Sequence, residues 1–346
     1  MVGWASEPRW PRFIPKPALS VRRHHTASAF DKRRSGFSRR SKVNATRSGR
    51  PAIRPCQASV GSTSAGPRWQ ISRGRRVPSN RPRDQFVTAS LEESIAGAAR
   101  ALGSASRVLA ITGAGMSADS GMPTYRGVGG LYNDEATADG VPIEQALSGP
   151  MFARDPGLTW KYLAQIESAC RGARPNAGHR GLVSLAGHVD HLCVVTQNVD
   201  GLHRAAGTHD IIEMHGNIHR LFCIRCGQSR HVQDYSGLRQ WPPLCARCDG
   251  VERPAVVLFG ETLPRSALER YQRELARGFD VVLMIGTTAV FEYIAAPAHA
   301  AAAGQGKAIE INPAETPITA LCDVKCTGRA ADVIPELVRQ LEMGAA

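Results

Sequence analysis

The stretch ITGAGMSADSGMPTYRG, residues 111–127, follows a short apolar run at residues 108–110. Its segment GAGMSA (113–118) fits the G-x-G-x-x-G/A pattern of a turn that joins a buried strand to a helix and binds a dinucleotide. The backbone N–H groups and the positive end of the helix dipole at such a turn attract a pyrophosphate. The stretch therefore predicts a dinucleotide site at the end of a strand over Arg107–Thr112.

The residues after this turn differ from a standard dinucleotide-binding unit. Pro123 and nearby glycines preclude a long regular helix; the glycines are Gly121, Gly127, Gly129 and Gly130. No strand precedes Asp134 and Glu135, which lie near the usual distance of the acid that binds the ribose. We therefore expect a long irregular segment that closes over the dinucleotide and excludes water. Hydride transfer is not favoured.

Short apolar segments alternate with helix-like segments along the rest of the chain. The candidate strands are Arg107–Thr112, His191–Thr196, Ile211–Met214, Ala255–Phe259, Val281–Ile285 and Ala308–Ile311. The candidate helices are Leu91–Ala101, Leu158–Ala169, His179–Gly187, Ser266–Ala276, Ile294–Ala303 and Ala331–Leu341. Near-continuous runs of Val, Ile and Leu are typical of parallel strands covered on both faces. The alternation predicts an α/β fold, with a Rossmann-like parallel sheet and helices on both faces.

Ligands of such sheets bind beyond the carboxyl ends of the strands. The residues directly after the predicted strands are small or polar: Gly113–Gly115, Gln197–Asp200, His215–Asn217, Gly260–Glu261, Gly286–Thr288 and Asn312–Pro313. Each segment alone is consistent with ordinary turn chemistry. Their occurrence at every predicted strand end favours a shared site, and His215 is its best ionisable candidate.

Positive charge is concentrated at the N-terminus. Residues 1–85 contain 20 of the 43 Lys and Arg residues but only 3 of the 30 Asp and Glu residues. This Arg-, Ser- and Pro-rich segment cannot bury enough apolar surface to fold, and we expect a disordered basic extension followed by one domain over residues 86–346. A functionless extension, an organellar transit peptide and a nonspecific nucleic-acid-binding arm all remain open for residues 1–85.

Four of the nine cysteines form two C-x-x-C pairs with the spacing of a structural zinc site. They are Cys223, Cys226, Cys245 and Cys248. Four thiolates close the tetrahedral shell of the metal and leave no position for a catalytic water. We therefore predict one structural Zn²⁺ in a small module at about residues 219–253, inserted into the α/β domain. Unligated thiols and a redox C-x-x-C pair are the alternatives. Several arginines surround the module, so a zinc-ribbon nucleic-acid binder is a further alternative.

Together these segments resemble the sirtuins of the bacterial type, a family of NAD-dependent protein deacylases. The resemblance rests on residues 113–127, 196–207, 213–217, 256–261, 285–288, 310–313 and 327–335 and on the two C-x-x-C pairs. These motifs follow the family's order and cover about residues 90–340. Residues 1–85 lie outside it.

The resemblance implies a role for individual residues. His215 would be the general base, with Asn198 and Asp200 as further catalytic residues. The NAD-binding residues would be Gly113, Ala114, Gly115, Thr124, Tyr125, Arg126, Gln197, Asn198, Asp200, Gly286, Thr287, Thr288, Asn312 and Ala330. The residues lining the peptide cleft would be Val257, Leu258, Phe259 and Gly260. The zinc ligands would be Cys223, Cys226, Cys245 and Cys248.

The chemistry implied by the resemblance is protein-lysine deacylation. The acyl-lysine oxygen attacks C1′ of the NAD ribose and releases nicotinamide. His215 then takes a proton relayed from a ribose hydroxyl, and the products are free lysine and O-acyl-ADP-ribose. NAD-dependent ADP-ribosyl transfer to protein is the alternative within enzymes, because it shares the first step.

The chain departs from the family pattern in a way that bears on the acyl group. Relatives that remove succinyl or malonyl groups carry Tyr-x-x-Arg in the segment that corresponds to TWKYLAQIE (159–167), and those two positions fall on Leu163 and Ile166. An acyl carboxylate would be buried there without a cation. We therefore expect uncharged acyl groups, acetyl first. Two further departures are Tyr125, where Phe is common, and Glu292, where many bacterial relatives have Pro.

The expected partners are acyl-lysine proteins or peptides. Nucleic acid is not expected as a partner, except weakly through the basic extension. A membrane span is not expected, because no run of about 18 apolar residues occurs. The odd number of cysteines argues against a disulfide framework and favours a reducing, cytoplasmic location, or an organellar one if residues 1–85 are a transit peptide.

Overall fold

The structure is a computed structural model, and it describes residues 90–122 and 137–344. The chain divides into Met1–Pro78 and Ser79–Ala346, and all described residues belong to the second unit. The predictions for residues 1–85 therefore lie outside the described residues, as do those for Thr124, Tyr125 and Arg126.

The larger sheet has six parallel strands in the order β3-β2-β1-β7-β8-β9. Their bounds are β1 Arg107–Thr112, β2 His191–Thr196, β3 Ile211–Glu213, β7 Val281–Ile285, β8 Lys307–Ile311 and β9 Val324–Cys326. β1 lies at the centre, where Ile111 is opposite Val195 of β2 and Met284 of β7. The predicted Rossmann-like parallel sheet is confirmed.

Helices cover both faces of this sheet. The helices are α1 Leu91–Gly103, α2 Ile143–Ala146, α3 Gly149–Arg154, α4 Pro156–Cys170, α5 Ala177–Leu185, α6 Leu202–Ala206, α7 Arg265–Arg277, α8 Glu292–Ala302 and α9 Ala330–Gly344. Val108 and Ala110 of β1 pack with α1, α5 and α9 on one face, and Leu109 and Ile111 pack with α7 and α8 on the other. Because both faces are buried, β1 is apolar without alternation.

A second, antiparallel sheet has the order β5-β4-β6, with β4 at Gly216–Cys223, β5 at Ser229–His231 and β6 at Glu252–Val256. The prediction of a parallel-sheet strand at Ala255–Phe259 was wrong. Only Ala255 and Val256 are in a strand, and that strand pairs with β4 beside the cysteine pairs. A short Val-rich run is compatible with either sheet, because periodicity alone does not determine the partner of a strand.

The helices α2, α3 and α4 pack against this second sheet. Trp160 of α4 is fully buried, and its indole N–H donates to the carbonyl oxygen of Glu252 at 2.9 Å. Its ring also contacts those of Tyr235 and Trp241. The cysteine module is therefore half of a larger subdomain with its own apolar core. No helix among the described residues is long and apolar enough to cross a membrane.

Candidate active site

The two glycine-containing segments predicted to bind the dinucleotide meet at the centre of the parallel sheet. From β1 the chain continues to β2 and β3 on one side, and later through β7, β8 and β9 on the other. The strand order thus reverses between β1 and β7, and a crevice for a ligand opens at such a switch point. The segments Gly113–Gly115 and Gly286–Thr288 follow these two strands and form the two sides of the switch point.

These two segments are joined through their backbones. The N–H of Gly115 donates to the carbonyl oxygen of Gly286 at 2.9 Å, and the N–H of Gly113 donates to that of Ile285 at 3.0 Å. A Cβ atom on Gly286, where φ is +55°, would lie 2.5 Å from the backbone nitrogen of Met116. The glycines of both segments are therefore required by their close approach, in addition to any role in binding a ligand.

Two short 3₁₀ turns, at Ala114–Met116 and Ala118–Ser120, follow β1 in place of a long helix. Asn176, the N-cap of α5, donates from its side-chain amide to the carbonyl oxygen of Met116 at 2.8 Å and to the hydroxyl of Ser120 at 3.1 Å. The predicted interruption of the standard unit is thus present within the described residues, and α5 supports these turns from one side.

Asn198, which follows β2, contacts the first of these turns. Its side-chain amide donates to the carbonyl oxygen of Gly113 at 2.9 Å and to the Ser117 hydroxyl at 3.1 Å. The Ser117 hydroxyl donates in turn to Asp200 at 2.7 Å. Burial raises the pKa of Asp200, while hydrogen bonds from the Leu202 N–H and from Ser117 oppose this shift. Asn198 and Asp200 therefore form one network that fixes the Gly113–Ser117 turn.

The other predicted cofactor residues extend this network across β7 and β8. The Gln197 side-chain amide donates to the Thr287 hydroxyl at 2.9 Å. The Asn312 side-chain amide donates to the carbonyl oxygen of Thr287 at 3.2 Å. Thr288 is exposed, and Ala330 is buried at the start of α9. The structure thus brings Gln197, Thr287 and Asn312 together at one edge of the sheet.

His215 lies directly before β4, in the short connection from β3, and its ring lies between Gln197 and Tyr293. Its Nδ1 is 3.0 Å from the carbonyl oxygen of Gln197, and its Nε2 is 2.7 Å from the Tyr293 hydroxyl. A carbonyl oxygen can only accept, so Nδ1 carries the proton and Nε2 of the neutral ring is an acceptor. Burial lowers the pKa of His215, although the hydrogen bond to Gln197 opposes this. The imidazole is held neutral with its acceptor atom towards α8.

The segment predicted to line a peptide cleft follows β6. The N–H of Val257 donates to the carbonyl oxygen of His215 at 2.9 Å. The side chain of Leu258 is buried in the subdomain core, whereas Phe259 is 41% exposed. The N–H and carbonyl oxygen of Phe259 are used by Leu147 and Gly149. Phe259 thus offers its side chain at this surface, while Leu258 supports the segment from inside.

The four cysteines of the two C-x-x-C pairs converge. Their sulfur atoms all lie within 4.8 Å of one another. The Sγ atoms of Cys223 and Cys248 are 3.5 Å apart, and those of Cys226 and Cys245 are 3.7 Å apart. A tetrahedral Zn–S shell with bonds of about 2.3 Å requires sulfur separations of about 3.8 Å. The cluster therefore fits one structural zinc ion.

A family model described as the Sir2 family matches residues 113–292, which is more than half of the chain. The chain belongs to the Sir2 family. The sirtuin resemblance inferred from the motifs is thereby confirmed.

Similar proteins match about seven tenths of this chain and nearly the whole of their own length. NAD-dependent protein deacylase 2 of Pseudomonas aeruginosa is 51% identical over 249 residues, which span 71% of this chain and 97% of that relative. A Sir2 homologue solved in complex with NAD is 35% identical with a TM-score of 0.64, covering 72% of this chain and 94% of that one. A mutant Sir2 homologue solved with 2′-O-acetyl ADP ribose is also 35% identical, with a TM-score of 0.65 and coverage of 72% and 97%.

Two residues of this Sir2 site escaped the sequence prediction. Ser117 connects Asn198 to Asp200, and Tyr293 contacts the acceptor nitrogen of His215. Ser117 stands within the quoted glycine motif, so its position after the turn could have indicated it. Tyr293 lies 78 residues after His215, and no spacing rule connects the two residues.

Proposed function

We propose that this chain is an NAD-dependent protein-lysine deacylase, with acyl-lysine proteins or peptides as substrates and NAD as co-substrate. The names and ligands of the similar Sir2 proteins support this, since they include a deacylase, an NAD complex and a complex with an acetylated ADP-ribose. The observation that carries the proposal is the state of His215. It is a neutral imidazole at the switch point, with Nδ1 fixed as donor and Nε2 as acceptor.

The switch point fits the dinucleotide. The Gly113–Gly115 turn lies against Gly286 at the end of β1, and Gly286 leaves no room for a side chain between the two segments. Gln197, Asn198, Thr287 and Asn312 surround the same crevice. When bound, NAD supplies an electrophilic C1′ and nicotinamide as the leaving group. The residues of the chain bind and orient it, and His215 takes up a proton at Nε2.

Product analysis tests the proposal. The full chain is incubated with NAD and an acetyl-lysine peptide, and the products are identified by mass spectrometry. We expect deacetylated peptide, nicotinamide and O-acetyl-ADP-ribose in equal amounts, and loss of the deacetylated peptide and of O-acetyl-ADP-ribose in a His215→Ala variant that still binds NAD. ADP-ribose attached to protein, without O-acetyl-ADP-ribose, would replace the proposal by ADP-ribosyl transfer.

The acyl group is proposed to be uncharged. Leu163 packs in the apolar core of the subdomain and Ile166 packs against that core, so neither position offers a cation for an acyl carboxylate. Burying an unpaired carboxylate costs several kcal/mol, on the order of a thousandfold in rate. Profiling the full chain with acetyl, longer fatty acyl and succinyl peptides should show acetyl well above succinyl. A preference for succinyl would reject this part of the proposal.

A cytoplasmic location is proposed as well. It is supported by the odd number of cysteines in the chain, which argues against a disulfide framework and favours a reducing compartment. Cell fractionation with an antibody to the chain tests it, and recovery in an organelle would support a transit function for residues 1–85. A zinc-ribbon nucleic-acid binder is not favoured, because it would give no role to His215 and the glycine segments.

A further inference from the structure

The hydrogen bond between His215 and Tyr293 has a fixed direction. Nδ1 of His215 donates to the carbonyl oxygen of Gln197, so the unprotonated Nε2 accepts from the Tyr293 hydroxyl at 2.7 Å. Burial raises the pKa of Tyr293 to about 12, and the phenol therefore keeps its proton at neutral pH. The acceptor atom expected to receive the catalytic proton is already hydrogen-bonded to a neutral O–H group.

Tyr293 is held in this position from three directions. It lies in the first turn of α8, five residues after the Gly286–Thr288 segment. Its carbonyl oxygen accepts a hydrogen bond from the buried Tyr271 hydroxyl at 2.8 Å. Its ring stacks on Phe291 at 5.7 Å between centroids, and Phe291 also contacts the edge of His215. The phenol is therefore positioned as firmly as the imidazole.

This arrangement restricts how a proton can reach His215. A neutral imidazole has one acceptor lone pair, and Tyr293 fills it. A ribose hydroxyl can give its proton to Nε2 only by displacing the phenol or by passing the proton through it. The phenol oxygen keeps acceptor capacity, because no other group among the described residues donates to it. A second donor can therefore bind to this oxygen without breaking the first hydrogen bond.

We propose that Tyr293 is a catalytic residue that relays the proton between the ribose hydroxyl and His215, an inference that rests on the proposed deacylase function. The ribose O–H bond breaks as its proton forms a new O–H bond with the phenol oxygen. At the same time the original phenol O–H bond breaks and its proton forms the Nε2–H bond of His215. The electron pair left on the ribose oxygen forms its bond to the acyl carbon, which is the imidate carbon once the acyl oxygen has bonded to C1′. The carbon–nitrogen π bond breaks at the same time, and its electron pair moves onto the lysine nitrogen. Tyr293 ends neutral, and His215 ends as imidazolium.

A Tyr293→Phe variant separates this relay from a structural role. Exchange of labelled nicotinamide into NAD, in the presence of acyl peptide, reports the step before the proton transfer. We expect this exchange to stay within about twofold of wild type and deacylation to fall about a hundredfold, which is typical for loss of a proton-transfer group. His215→Ala should give the same separation of the two activities.

Three results would overturn the relay. Unchanged or faster deacylation by Tyr293→Phe would mean that the ribose reaches Nε2 directly and that the phenol only blocks it. Equal loss of exchange and deacylation would mean that Tyr293 merely supports the pocket.

The matched control is Tyr271→Phe, which removes the hydroxyl behind Tyr293 and should change both activities by the same factor. A Tyr271→Phe variant that separates them as Tyr293→Phe does would assign the effect to the packing of α8.

A measurement on the wild type does not depend on the folding of any variant. In single turnovers, the relay moves two protons in one step, so the deacylation rate should fall as a quadratic function of the deuterium fraction of the solvent. A linear dependence would contradict the relay. Absence of O-acyl-ADP-ribose from the wild type would instead reject the proposed function, which keeps the two failures distinct.

Discussion

At the scale of single residues, the neutral state of His215 sets the pH range of the reaction. The groups that face its ring are the Gln197 carbonyl, the Tyr293 hydroxyl and the Phe291 ring, and none of them is charged at neutral pH. The hydrogen bond to the Gln197 carbonyl favours the imidazolium, but burial outweighs it and lowers the pKa of His215. The base form therefore persists into mildly acidic solution.

The pH profile of turnover should reflect this. Activity requires neutral His215, so it is retained as the pH falls below 6.5, the ordinary pKa of histidine, and is lost only as the pH falls through the lowered value. Measuring kcat on wild type between pH 4.5 and pH 8 locates the acidic limb, in buffers whose effect on folding is followed by circular dichroism. A limb at or above pH 6.5 on folded protein would contradict the assignment.

Gly216, the residue after His215, is required by backbone packing. Its φ is +84°, and a Cβ atom there would lie 1.8 Å from the carbonyl oxygen of Ala255 in β6. A Gly216→Ala variant must separate β4 from β6, and we expect a loss of about 3 kcal/mol in the free energy of unfolding together with weaker deacylation. Urea denaturation and product assays measure the two effects.

Gly172 provides the matched control for that variant. Its φ of +81° is nearly the same, but nothing lies within 4 Å of the Cβ position. Gly172→Ala should therefore cost only the conformational term, about 1 kcal/mol. Equal losses of unfolding free energy in Gly216→Ala and Gly172→Ala would show that the contact with Ala255 does not add to the cost of the substitution.

At the scale of elements, the central strands were predictable because each is a short Val- and Ile-rich run buried on both faces. β1, β2 and β7 have the predicted bounds. β9, with only three residues, and the polar β5 carry too weak a pattern for prediction. β6 was assigned to the wrong sheet, because its pairing depends on the cysteine module that brings it beside β4.

The cofactor motifs were predictable because glycine, amide and imidazole groups follow strands whose carboxyl ends share one edge. The contact between Tyr293 and His215 could not be predicted, because it depends on the direction that α8 takes after the Gly286–Thr288 segment. The sequence pattern likewise did not predict that α4 packs against the cysteine module. Trp160 is fully buried there, although its helix shows only weak amphipathic segregation.

Removing the metal should disturb α4 as well as the module. Trp160 packs against Tyr235 and Trp241, which lie between the two C-x-x-C pairs. We expect one zinc ion per chain, and loss of zinc in Cys226→Ser should expose Trp160 and shift its fluorescence to longer wavelength. Metal analysis and emission spectra test this. Cys322→Ser, outside the cluster, should keep both the zinc and the spectrum, and a zinc-free Cys226→Ser with unchanged emission would contradict the coupling.

At the scale of the whole molecule, two buried histidines tie folding to pH. The rings of His179 in α5 and His203 in α6 lie 4.8 Å apart and are almost completely buried. Burial lowers the pKa of His179 to about 4 and that of His203 to about 3. Above about pH 6.5 both are neutral in the folded and unfolded chain, and they add no pH dependence. Below about pH 6.5 the two histidines bind protons in the unfolded chain but stay neutral in the folded chain until the pH reaches their lowered pKa values, so acid favours unfolding.

Stability should therefore fall as the pH drops from 6.5 towards 4. Replacing His203 by Gln should remove roughly 3 kcal/mol of the difference in unfolding free energy between pH 7 and pH 4. Urea denaturation at several pH values gives this difference for each protein. His299→Gln, at an exposed position of α8, serves as the control and should keep the wild-type slope. A His203→Gln variant with that same slope would show that the buried pair does not control acid unfolding.

The cleft between the Gly115 and Gly286 segments forms only late in the synthesis of the chain. The two residues stand almost half the chain apart, and the cleft exists only after β7 has inserted beside β1. During synthesis, β1, β2 and β3 leave the ribosome well before this partner strand. A truncated or still-growing polypeptide therefore has no complete dinucleotide pocket, and cellular NAD can stabilise only the finished molecule. NAD binding can therefore stabilise a full-length chain, but it cannot stabilise a chain that ends before β7.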